Sequence, residues 1–129
     1  MHQYPNKLVR DRIPEIIHAA GNTCEIEVLS DEDYKVALRD KLMEEAKEAA
    51  ATEDVETMMT ELADLYEVIT ALMAAYKISP EDVRTKQMWR REQRGAFRKR
   101  IRLLETKRVE KKQDKKKKGD SPKGNSPTK

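Results

Sequence analysis

Between Leu62 and Tyr76 the chain reads LADLYEVITALMAAY, and only Asp64, Glu67 and Thr70 interrupt its apolar character. A helix with so little polar surface is expected to be buried nearly all round. Val55, Met58, Leu62, Leu65, Ile69, Leu72 and Tyr76 recur at alternating threes and fours, which predicts a helix over about residues 53–77. Any fold of this chain must cover that helix. The same helix carries acids where water is not expected. The row Glu61, Asp64, Val68, Ala71, Ala75 runs two carboxylates into the apolar surface, so both should face protein groups.

The segment before it repeats the pattern. Ser30 and Asp33 form a start signal, and Leu38, Leu42, Glu45 and Ala49 share one face of a helix expected over about residues 31–51. Glu45 stands in the middle of that apolar row, with Glu48 one turn further and Glu44 beside it. Thr52-Glu-Asp is read as the cap of the next helix, and Ser79-Pro-Glu-Asp82 as the start of another near residue 80 that Gly95 breaks or bends. Pro14 and Gly21 bracket a short helix at about residues 14–20. Cys24-Glu-Ile-Glu-Val-Leu29 alternates polar and apolar residues as a strand does, and is expected to be an extended arm or a minor hairpin.

The small net charge of +3 hides a division along the chain. Residues 1–83 carry 8 Lys and Arg against 19 Asp and Glu, whereas residues 84–104 carry 9 against 1 and residues 105–129 carry 10 against 4. An acidic body is therefore joined to a basic C-terminal third. After Glu105 the chain has one apolar residue, Val109, and cannot bury enough surface to offset its ordering entropy. The domain reading is thus a helical body over residues 1–105 and a Lys-rich disordered tail over 106–129. The body is expected to be all-α: a small bundle with two long antiparallel acid-bearing helices and a short extended N-terminal arm. Its apolar stripes are wide for about 100 ordered residues, so a homodimer, or a tetramer built from two dimers, is expected to complete the core.

One cysteine excludes an internal disulfide and a cysteine-based zinc site. No apolar run reaches the roughly 20 residues that span a bilayer, and the N-terminal MHQYPNKLVRDR lacks a signal-peptide core. A cytoplasmic protein with no membrane association is the expectation. Clustered carboxylates in an apolar setting either take up protons or hold a cation. The set Glu45, Glu48, Glu61 and Asp64 offers only oxygen, which selects a hard ion, magnesium first and manganese second. A di-iron bundle is excluded, because it needs Glu-x-x-His pairs and the histidines, His2 and His18, lie outside both acid-bearing helices. No Lys or Arg interleaves with Glu61 and Asp64 along their helix. On the preceding helix Lys47 is expected either to neutralise Glu44 or to reach a phosphate.

Glu44-Glu45-Ala46-Lys47-Glu48 followed by Glu61-Leu62-Ala63-Asp64 resembles the EExxE…ExxD signature of the all-α nucleotide pyrophosphohydrolases, the superfamily of MazG, dimeric dUTPases and phosphoribosyl-ATP pyrophosphohydrolases. Asn6 to Ile17 and Arg94 to Ile101 resemble the ends of a small MazG-like branch often labelled phosphoribosyl-ATP pyrophosphohydrolase-like. The resemblance covers about residues 4–104. It implies a hydrolase that cleaves a nucleoside triphosphate between the α and β phosphorus, giving a monophosphate and pyrophosphate, in nucleotide-pool house-cleaning or nucleotide metabolism. Magnesium at Glu45, Glu48, Glu61 and Asp64 would neutralise the triphosphate, and Glu44 or Glu48 would position the water or take its proton. Lys7 and Arg10 lead the candidate phosphate contacts, with Lys47, Arg94 and Lys99 behind them and Arg12 and Arg98 nearby, the alternative being surface salt bridges to the acidic body. The competing reading is a helical oligomer that binds nucleic acid nonspecifically through its basic third.

Overall fold

The computed structural model describes Gln3 and residues 5–110. Among these the chain is all-helical: α1 spans Ile13–Ala19, α2 Asp31–Ala50, α3 Val55–Ala75 and α4 Pro80–Arg94. The chain divides into two units, Met1–Gly95 and Ala96–Lys129. The division falls where Gly95 ends α4 with a φ of 84°, a conformation that costs a side chain without a Cβ nothing.

The helix ends follow local chemistry. Ser30 caps α2 by accepting a hydrogen bond from the Asp33 amide at 3.2 Å. Ser79 caps α4, accepting from the Glu81 and Asp82 amides at 3.0 and 3.3 Å, with Pro80 in the first turn where its missing N–H is not needed. The start of α3 departs from expectation. Asp54, not Thr52, is its cap, accepting from the Glu56 and Thr57 amides, while the Thr52 hydroxyl donates back to the Glu48 carbonyl at 3.1 Å. A carboxylate offers two acceptor oxygens to the first turn and a threonine offers one, so the acid takes the position.

Cys24 to Leu29 forms no strand and no hairpin. A strand needs a neighbour to accept its backbone hydrogen bonds, and no other described segment is extended beside it.

The body is organised on the contact of α2 with α3. Leu38 and Val68 are its buried apolar side chains, and Leu42, Ala49, Leu65, Ile69 and Leu72 are half-buried around them. The row Leu38, Leu42, Glu45 and Ala49 of α2 faces inward as expected, and on α3 the row Glu61, Asp64, Val68, Ala71 and Ala75 does so. The apolar repeat of α3 turns inward only in part, with Val55, Leu62 and Tyr76 exposed. The tyrosine that follows α3 fixes the far end: the Arg39 guanidinium donates to the Tyr76 hydroxyl at 2.5 Å, and the Lys35 ammonium lies 5.0 Å above the Tyr76 ring.

The expectation that α3 is buried nearly all round is not met within one chain. Val55, Met59, Leu62 and Tyr66 are exposed, because α3 has extensive contact with one helix only. α4 is exposed along its length. In the second unit, residues 96–110 have neither helix nor strand and are exposed. These include residues 106–110 of the expected tail, and residues 111–129 lie outside the described residues. No described helix is long and apolar enough to cross a membrane.

Candidate metal centre

Three carboxylates converge between α2 and α3. Glu45, Glu61 and Asp64 each offer one oxygen, and these atoms lie within 4.8 Å of one another. The helical register explains the grouping. Glu45 occupies the row of Leu38, so it turns inward, and Glu61 and Asp64 stand one turn apart on the row of Val68.

Glu45 retains only 7% of its surface. Its Oε1 atom, like Oε1 of Glu61, is buried with no hydrogen-bond partner among the described residues. A buried anionic oxygen without a donor is costly, and both groups respond in the same direction. Burial, followed by the repulsion of Glu48, pushes the Glu45 carboxyl above the ordinary glutamate value of 4.5. Burial, then repulsion from Glu48, Asp64 and Glu45, raises Glu61. The trio therefore offers the oxygen donors that a hard cation takes, two of them without a hydrogen-bond partner among the described residues.

Glu48, also expected among the ligands, is exposed on α2 and stands outside the convergent trio, although it is near enough to act on both Glu45 and Glu61. Glu44 is half-buried and already paired. The Lys7 ammonium donates to its Oε2 at 3.1 Å and Lys41 lies 3.5 Å from its Oε1. The hydrogen bond from Lys7 is the main reason that the Glu44 carboxyl lies below its ordinary value. Lys41 also reaches within 3.9 Å of Glu45 Oε2.

Lys41 is the functional neighbour that the sequence reading passed over. It precedes Glu44 and Glu45 by three and four residues, the spacing at which helical side chains meet. Lys47, offered instead as the partner of Glu44, is exposed and borders a shallow open depression with Asp40, Met43, Glu44 and Glu48.

Arg10 donates to Asp64 Oδ1 at 2.7 Å. No Lys or Arg interleaves with Asp64 along α3, and its cation comes instead from the segment before α1, the salt bridge to the acidic body expected as the alternative for Arg10. Arg12 turns to Glu15, 2.7 Å away in α1. Arg94 is exposed in the last turn of α4, and Lys99 is exposed in the second unit.

The raised and lowered carboxyls work oppositely on stability. Above the raised values, Glu45 and Glu61 are charged in both folded and unfolded chains, and folding carries their full penalty. As pH falls toward 4.5 the folded chain takes up protons first and the penalty is relieved. The stabilisation from Glu44 is present above 4.5 and is lost only as pH drops through its lower folded value. Without divalent ions, the melting temperature should therefore rise on acidification from neutral pH to just above 4.5. A melting temperature that declines steadily over that range in chelator would contradict these environments.

No family model matches this chain, and no solved structure matches it. It is similar to an uncharacterised protein of Mycolicibacterium smegmatis, 53% identical over 47 residues, which is 36% of this chain and 48% of that protein. The chain thus spans about half the length of the curated relative it matches.

Proposed function

We propose that the chain is a magnesium-dependent nucleoside triphosphate pyrophosphohydrolase that releases a nucleoside monophosphate and pyrophosphate. The observation that carries this reading is the pair of buried, unpartnered oxygens, Oε1 of Glu45 and Oε1 of Glu61, in a trio of converging carboxylates. In an apolar helix pair such oxygens are stabilised by a cation. The acid signature that resembles the all-α pyrophosphohydrolases adds the reaction type.

Glu45, Glu61 and Asp64 would hold the ion, with Glu48 able to join from the exposed side. Bound magnesium, or manganese in its place, supplies charge neutralisation for the phosphates, polarisation of the α-phosphate and a lowered pKa for the attacking water. Of the two glutamates considered for the water's proton, Glu48 is the better placed. Glu44 is held by Lys7 and Lys41 and has a depressed pKa, which makes it the poorer proton acceptor. Arg10 on Asp64, Lys7 on Glu44 and the exposed Lys47 are the candidates for the remaining phosphate charge, with Arg94 behind them.

We read α2 and α3 as an antiparallel hairpin, since only residues 51–54 join them and Arg39 near the start of α2 meets Tyr76 just after the end of α3. We also read the working form as at least a homodimer. Val55, Met59, Leu62, Tyr66 and Met73 follow one another at helical spacing, and the first four are exposed.

Purified protein incubated with a panel of canonical, deoxy and modified nucleoside triphosphates should release pyrophosphate with Mg(II) and none in excess chelator. Orthophosphate as the product, or equal release in chelator, would refute the reading. Nucleic-acid binding without any triphosphate cleavage would favour the helical binding protein instead.

A further inference from the structure

The N-terminal arm meets the carboxylate cluster from both helices. Lys7 holds Glu44 on α2 at 3.1 Å and Arg10 holds Asp64 on α3 at 2.7 Å, contacts that span 37 and 54 positions of sequence. Asp64 is therefore shared: the oxygen set that converges with Glu45 and Glu61 belongs to a side chain already paired with a guanidinium.

The arm itself is lightly held. Among the described residues, no backbone hydrogen bond ties residues 5–9 to a helix, and the first one on this side of the chain closes a local turn from the Ile13 amide to the Arg10 carbonyl. Leu8 is half-buried, and both cations are more than half exposed. Ion pairs in such positions add little to stability, so they separate at small cost. Lys41 is the contrast, because its backbone is part of α2 and its position beside Glu44 and Glu45 is set by the helix.

We propose that Lys7 and Arg10 form an exchangeable strap: Arg10 stands in for a metal on Asp64 while Lys7 anchors the arm at neighbouring Glu44, and a divalent cation loaded at Glu45, Glu61 and Asp64 displaces Arg10 and frees the arm to close on the anionic ligand. The proposal rests on the metal reading above and adds an order to it. A divalent charge on Asp64 repels the guanidinium that shares the carboxylate, and the exposed pair offers too little to resist. The released groups are a planar fork and a compact ammonium, both suited to phosphate oxygens. Cations for the substrate are thus withheld until the ion is in place, and a triphosphate meets a weak site before loading and a strong one after it.

The test uses the full-length protein with two probes, Mn(II) binding followed by electron paramagnetic resonance and backbone nitrogen-15 relaxation over residues 5–12 with Mg(II). Wild type should bind Mn(II), and Mg(II) alone should raise the nanosecond mobility of the arm, with inorganic tripolyphosphate plus Mg(II) lowering it again. Arg10→Ala should bind Mn(II) about tenfold more tightly, in the lower range of coupling between linked sites, and its arm should already be mobile without metal. Arg10→Lys should lie close to wild type.

Arg12→Ala removes the same charge from a residue that pairs with Glu15, and should leave Mn(II) affinity unchanged. Equal tightening by Arg12→Ala would reduce the effect to net charge and overturn the exchange. Mn(II) binding with no change in arm mobility would overturn it while leaving the metal reading intact. Failure of wild type to bind Mn(II) at all would overturn both.

Discussion

Glu45→Gln is expected to make the metal-free protein more stable and the enzyme nearly inactive. The two effects have one cause. Glu45 is buried, and among the described residues its Oε1 has no partner and its one cation, Lys41, stands 3.9 Å from the other oxygen. Removing the charge relieves desolvation and the repulsion of Glu48 and Asp64, a gain of about 1 kcal/mol, or roughly 4–8 °C in melting temperature for a body of this size. On the proposed reading the same change would take away a metal ligand, and pyrophosphate release should fall by at least about a hundredfold, the scale on which single electrostatic elements of active sites act. Thermal unfolding with and without Mg(II), set beside a pyrophosphate assay, reads both. A variant that is destabilised without metal, or that keeps wild-type turnover, would remove Glu45 from the centre of the site. Asp64→Asn should not show the same gain in stability, because Asp64 has Arg10 as a partner to lose.

Leu62→Asp is expected to convert the assembled protein into 15.0 kDa chains. Leu62 lies between Met59 and Tyr66 on the exposed stripe of α3, and Tyr66 keeps 74% of its surface in the single chain. Burying one such apolar side chain returns about 1.5–3 kcal/mol. A two-fold interface counts it twice, so the dissociation constant should rise by about two to four orders of magnitude. Light scattering across micromolar concentrations, with circular dichroism to confirm that helix content persists, measures this. A wild-type protein that scatters as a single chain at every concentration would sink the dimer.

Much of the chain could be read without coordinates, wherever the governing interactions are local. Ser30, Pro80 and Gly95 act within one turn of the helix ends they mark, so those ends appear where the residues place them. The inward rows of α2 and α3 were legible for a related reason. Leu38 and Val68 lie on the same rows as Glu45 and Asp64, and helical geometry carries the acids in with them.

Tertiary structure decided what periodicity leaves open. Glu45 and Glu48 are one turn apart and both fit an inward-facing pattern, yet only the position of α3 determines that Glu45 is buried and Glu48 exposed. The strand pattern at Cys24 to Leu29 had no pairing partner, and alternation alone cannot supply one. The apolar sequence of α3 states how much surface must be covered but not by what, and a single neighbouring helix leaves its outer stripe bare. Lys7 with Glu44 and Arg10 with Asp64 are contacts across 37 and 54 residues, where no spacing rule reaches. Sequence determined the chemistry that each helix carries, because that chemistry repeats every turn. Only the fold determined which charges meet, because that depends on where separate segments lie in space.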